Sequence, residues 1–139
     1  MSHPSTQQPR HDLYAPIHRA LRLFMSAMLA RVGALDVADA REVSSVLDQL
    51  DALLGMCRHH ALIENEIVHP EIEAAQPGAA QRVHAEHARH LEAIVALEAE
   101  VVAVRVFPSA TQALRLYRQL ALFVAENLEH MHVEETAHN

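Results

Sequence analysis

Four stretches of this chain space apolar residues alternately three and four apart, the period that turns one stripe of an α-helix toward a shared core. The first stripe is His18, Leu21, Met25, Met28 and Val32. The second is Val43, Val46, Leu50, Leu53, Cys57, His60, Glu64 and Ile67. The third is Ala80, Val83, His87, His90, Ile94, Leu97, Val101 and Val104, and the fourth is Ala113, Leu116, Leu120, Phe123, Asn127, His130 and Glu134. Strand-type alternation is sustained nowhere, while Ala, Leu, Glu, Arg and Gln dominate. The pattern predicts an all-α protein, an antiparallel up-down-up-down four-helix bundle.

Helix breakers mark the joints. The first helix is expected from Asp12 or Pro16 to Val32, with Asp12 as N-cap. The second runs from about Asp39 to near Ala75, with a kink or early stop where Pro70 cannot donate to the carbonyl of Glu66. The third follows Gly78 and ends near Phe107; the fourth starts on a Ser109 cap. Residues 1–11, polar and carrying Pro4 and Pro9, read as a disordered arm, and 12–139 as one bundle domain. A chain of 139 residues, half of them apolar, is long enough to bury a core without staples.

Charge and composition exclude several function classes. The formal net charge is -7, and no Arg/Lys stripe with interleaved aromatics is present, so a nucleic-acid partner is not expected. The longest largely apolar run, Leu23 to Ala30, falls far short of the roughly 20 residues that span a bilayer. The N-terminus lacks the apolar region of a secretory signal. A single cysteine, Cys57, excludes an internal disulfide framework and makes the reducing cytoplasm the expected compartment.

The chain carries twelve histidines, and those in the stripes fall at one end of each helix. His18 and His87 come early in their helices, whereas His60, Glu64, His130 and Glu134 come late. Antiparallel packing brings these ends together. Counted from the turn near Pro108, His87 lies about 21 residues back and His130 about 22 forward, so at roughly 1.5 Å per residue they share a level. From a turn near Asp36, His18 is about 18 back and His60 about 24 forward, an offset of roughly 9 Å that the first connection must absorb.

Four imidazoles and two carboxylates in one layer of a dry core point to a cation, because unpaired buried carboxylates are costly and two facing each other more so. His60/Glu64 and His130/Glu134 are each one helical turn apart, so both members of each pair can reach one centre. Nitrogen and oxygen donors without thiolate suit iron or manganese, with zinc as a third option. Two bridging carboxylates and two terminal histidines per metal leave each ion short of six ligands, an open place for a small molecule. The competing interpretation is a hydrated polar end without metal.

Other residues are placed by the same logic. His59 falls off the stripe. His84 and His90 flank His87 and either could add a ligand, although His90 also fits a core-edge histidine bonded to Glu86. Glu71, one heptad beyond Glu64, is a candidate outer-shell partner. His69, His132 and His138 read as solvated, Cys57 as inert packing and Met25 and Met28 as gap-fillers. Gly55, inside the second helix, suggests a close helix approach.

His18, His60-x-x-x-Glu64-Asn65 followed by His69-Pro70, Glu86-His87 and His130-x-x-x-Glu134-Glu135 resemble the hemerythrin-like HHE cation-binding family over nearly the whole chain. The resemblance implies a non-haem di-iron centre ligated by His18, His60, His87 and His130 and bridged by Glu64 and Glu134. Oxygen carriers of the family usually have a His-x-x-x-His pair on the third helix, and here Val83 takes the first place. The set of four histidines and two glutamates is similar to the branch associated with nitric oxide response and repair of iron-sulfur centres. Two functions are therefore expected to compete. One is a module that binds or senses oxygen, nitric oxide or peroxide; the other is an enzyme, such as a ferroxidase, a peroxide scavenger or an iron-sulfur repair factor, and a single-metal site is the alternative to the di-iron centre.

Overall fold

The structure, a computed structural model, describes residues 8–136, and within these the side chains at 8–14, 68, 69, 72, 79, 80 and 83 are left aside. All regular structure among the described residues is helical: α1 (Gln8–Gly33), α2 (Ala40–Ile63), a π-helical turn (Glu64–Val68), α3 (His69–Ala75), α4 (Ala79–Val106) and α5 (Ala110–Thr136). Each long helix packs on two others, α1 on α2 and α5, and α4 on α2 and α5, so the four close a ring around one core.

The ends follow from local chemistry. The Asp39 carboxylate accepts from the backbone N–H groups of Arg41 and Glu42 and starts α2. Ser109 Oγ accepts from Gln112 N at 3.1 Å and starts α5. Gly78 opens α4 with φ of 92°, a left-handed backbone that glycine adopts without a Cβ clash. At the other end of α1, a Cβ on Gly33 would lie 2.7 Å from the Tyr117 ring, so only glycine lets α1 close against α5 here.

The core is the predicted stripe. Leu21, Met25, Met28, Val32, Val43, Val46, Leu50, Leu53, Ile94, Leu97, Val101, Val104, Leu116, Leu120 and Phe123 are all buried. Leu47, Leu54, Ala61, Val124 and Met131, beside the stripe, are buried too, which widens the apolar face to that of a globular bundle.

Four expectations are corrected. First, α1 begins at Gln8 and runs through Pro16, so residues 8–11 are helical and Asp12 lies inside the helix, not at its cap. Residues 1–7 and His138 lie outside the described residues, as do the side chains of His69, Ala80 and Val83. Second, the irregularity before Pro70 is a widened π turn followed by a resumed helix, neither a simple kink nor a stop. Third, that turn breaks the seven-residue phase, so Ile67 is 59 % exposed and not in the core. Glu71 is exposed for the same reason. The first connection, residues 34–39, absorbs the offset as expected. Fifteen residues separate His18 from Gly33 and twenty separate Ala40 from His60, so α2 starts about 7–8 Å farther out at ~1.5 Å per residue.

Gly55 is the fourth correction. A Cβ there would meet nothing within 4 Å, so no close helix approach requires it. Gly55→Ala should therefore stabilise the fold by about 0.5–1 kcal/mol through lower backbone entropy in the unfolded chain. Calorimetry should show a rise of about 2–5 °C in Tm; a fall would mean that α2 needs flexibility at this point.

Candidate metal centre

The two glutamates stand at the centre. Glu64 opens the π turn and Glu134 lies near the end of α5, 2 % and 6 % exposed respectively. Each divides its two oxygens between two imidazole pairs. Glu64 Oε2 is 2.8 Å from His60 Nε2 and 3.5 Å from His18 Nε2, while its Oε1 is 2.9 Å from His87 Nε2. Glu134 Oε1 is 3.4 Å from His18 Nε2, and its Oε2 is 3.3 Å from His130 Nε2 and 3.8 Å from His87 Nε2. Two overlapping donor sets result: His18, His60, Glu64 and Glu134, and Glu64, His87, His130 and Glu134, with donor atoms of each set within 4.8 Å of one another. All six residues singled out in the sequence are brought together.

The far side of three rings is anchored. Glu135 Oε2 accepts from His18 Nδ1 at 2.7 Å and is itself held by Arg22. Asn65 Oδ1 accepts from His87 Nδ1 at 2.8 Å, and Glu86 Oε2 lies 3.5 Å from His130 Nδ1. A proton on Nδ1 leaves Nε2 as a bare lone pair aimed at the centre. Yet His87 Nε2 and His130 Nε2 stand 3.0 Å apart, and His18 Nε2 and His60 Nε2 3.2 Å apart. Facing lone pairs at that distance repel unless a cation or a shared proton lies between them.

The carboxylates give the same answer. Glu64 Oε1 and Oε2 and Glu134 Oε1 are buried and have no hydrogen bond, the condition that a positive ion relieves. Burial works against the Glu64 anion, but the His18, His60 and His87 imidazoles outweigh it and hold this carboxyl far below its usual range. Burial, with the neighbouring Glu64 charge, pushes Glu134 upward against the opposing pull of His130. For His18 and His130, burial opposes the charged ring, but Glu64 and Glu135 beside His18, and Glu134 and Glu86 beside His130, prevail and raise both. Two carboxylates forced together among imidazoles fit divalent or trivalent cations with nitrogen and oxygen preference.

Neighbouring residues sort themselves. Cys57 is buried one turn before His60, and burial pushes its thiol up to about 12, so it stays protonated and supplies no thiolate. His59, His84 and His132 are exposed. His90 is buried but belongs to neither donor set. Burial first, then the nearby His130 and His87, lower it to about 4, so its ring is neutral. Glu86, expected beside His90, instead reaches His130. The anchoring roles of Asn65 and Glu135 escaped the sequence, although each adjoins one of the two central glutamates.

Glu135→Gln should weaken metal binding about tenfold, because a neutral amide holds the His18 ring less firmly than a carboxylate. Competition against a chelator of known affinity measures it. Unchanged affinity would mean that His18 is held by packing alone.

The family model of the hemerythrin HHE cation-binding domain matches residues 11–137. No curated protein and no solved structure matches the chain significantly.

Proposed function

This chain belongs to the hemerythrin HHE cation-binding family, and from that premise we propose that it is a non-haem di-iron protein which binds or senses a small ligand: oxygen, nitric oxide or peroxide. The observation that supports this reading is the pair of donor sets sharing Glu64 and Glu134, an arrangement that offers each of two ions its own set of donors. The ring of four long helices is read as the antiparallel up-down-up-down bundle, since only that order sets the starts of α1 and α4 beside the ends of α2 and α5. The lone buried cysteine agrees with a reducing cytoplasm.

Iron held there supplies a redox-active Lewis acid with coordination positions to spare, since each set offers two nitrogens and two oxygens. The protein's own share is orientation and exclusion. Glu135, Asn65 and Glu86 hold protons on Nδ1 and so keep Nε2 turned inward. Leu21, Met25, Ile94 and Met131 close the inner side with apolar surface, which strengthens every charge interaction in the layer. Arg22 balances the Glu135 charge at the rim.

Metal analysis and a Mössbauer spectrum of protein from iron-replete cells test this. Two irons per chain, with a reversible spectral change on adding gas and no turnover of peroxide or ferrous iron, is the expected result. One iron or none would overturn the di-iron assignment, and turnover would replace binding by catalysis.

A further inference from the structure

One helical turn inward from the four histidines lies a layer made by the residues three positions along: Leu21 after His18, Cys57 before His60, His90 after His87 and Asn127 before His130. These four residues line a cavity that also touches His60, Glu64, His87, His130 and Glu134. The cavity offers about 20 Å³ to the centres of water-sized molecules, room for about one such molecule. Its inner lining is unequal. Leu21 and Cys57, under His18 and His60, bring apolar or weakly polar atoms; His90 and Asn127, under His87 and His130, bring polar ones.

His90 is the unexplained member. It is 7 % exposed, and among the described residues no hydrogen bond engages its ring; its ring neighbours are His130 at 5.0 Å, His87 at 6.3 Å and Phe123 at 6.5 Å between centroids. Asn127 spends one of its two amide N–H groups on the Phe123 carbonyl at 2.8 Å. Because the ring lines the cavity, a small polar molecule there can serve as its hydrogen-bond partner. A neutral ring carries one N–H donor and one bare nitrogen, enough to grip a small polar molecule.

We propose that His90 is a ligand-positioning residue, not a metal ligand: its N–H holds the hydrogen-bond-accepting end of a two- or three-atom ligand on the His87/His130 half of the centre. The inference rests on the metal-binding function proposed above and adds to it a direction. The accepting atom of the ligand lies toward α4 and α5, the side on which the cavity's polar lining stands. The site thus selects small molecules that accept a hydrogen bond over equally small ones that do not.

Azide added to iron-loaded protein is the probe, with His90→Leu and His90→Gln as variants. Iron content, azide affinity by absorption, and the azide stretching frequency in H2O and D2O are read together. His90→Leu should keep the wild-type iron content, weaken azide binding about 10- to 100-fold, and abolish the solvent-isotope shift of the azide stretch. His90→Gln, which retains an N–H, should recover part of both. Loss of iron in both variants, with helical content preserved, would make His90 a ligand and overturn the proposal. Full iron with unchanged azide affinity and isotope shift would reduce it to packing and equally overturn it. Failure of the wild type itself to take up metal would instead sink the metal-binding reading, and this inference with it.

Discussion

Glu64→Ala protein from iron-replete cells should contain less than about a tenth of the wild-type iron, with both metals lost together. Loss of a partner that merely orients a ligand typically costs 10- to 100-fold in affinity, and a shared direct ligand should cost roughly 100-fold or more. The reason for joint loss is geometric. Glu64 Oε2 faces the His18/His60 pair and Oε1 faces His87, so one truncation removes a donor from each set. His60→Ala is the contrast, since His60 belongs to one set alone and should release one metal preferentially. Equal iron in Glu64→Ala and wild type would show that the cluster is a hydrated polar layer. Loss of a single equivalent would show that Glu64 is not shared. Glu64→Gln, nearly isosteric, separates ligand loss from collapse: it should keep the helical content of the wild type yet bind as little iron as Glu64→Ala.

The ease with which Glu64 could be picked out in advance contrasts with what surrounds it. His18, His60, Glu64, His87, His130 and Glu134 interrupt apolar stripes whose remaining members, from Leu21 to Phe123, are buried as the period requires. A stripe position is a statement about which way a side chain points, and six polar groups pointing inward at one level leave few arrangements open. Asn65 and Glu135 lie just off the stripe, next to residues on it, and nothing in a seven-residue period says that such a neighbour will curl around to an Nδ1. The π turn at Glu64–Val68 was equally hidden, because a period presumes an unbroken α-helix. One inserted residue rotates everything after it by about 100°, which is why Ile67 and Glu71 are exposed while Val43 to Glu64 hold their phase. Pro70, two residues beyond that turn, was the only local sign of it.

Stripping the metal should lower Tm by more than about 10 °C at pH 8, and by much less at pH 5.5. Bound metal held at a thousandfold excess over its Kd stabilises the folded state by about 4 kcal/mol, and 1 kcal/mol moves Tm by roughly 2–8 °C across the size range that includes this chain. The pH dependence follows from His18 and His130, which the site raises, set against His90, which burial lowers. In the metal-free protein burial opposes the charged forms of His18 and His130, but the surrounding carboxylates win and raise both. A raised histidine contributes stability that is complete below its unfolded value of 6.5 and disappears as pH rises through the folded value. Glu134, also raised, acts in the same sense starting from 4.5. His90, lowered to about 4, acts in the opposite sense, but its effect is complete above its unfolded value of 6.5, so from there toward pH 8 the metal-free protein weakens as His18 and His130 lose their protons. With metal bound, the same nitrogens must be free of protons, so the contribution of the metal grows over that interval and vanishes on acidification. The two stability curves should diverge with rising pH, and calorimetry of chelated and loaded samples at half-unit steps will show it. Parallel curves would mean that His18 and His130 keep their protons when metal is present, which no ligand nitrogen can do.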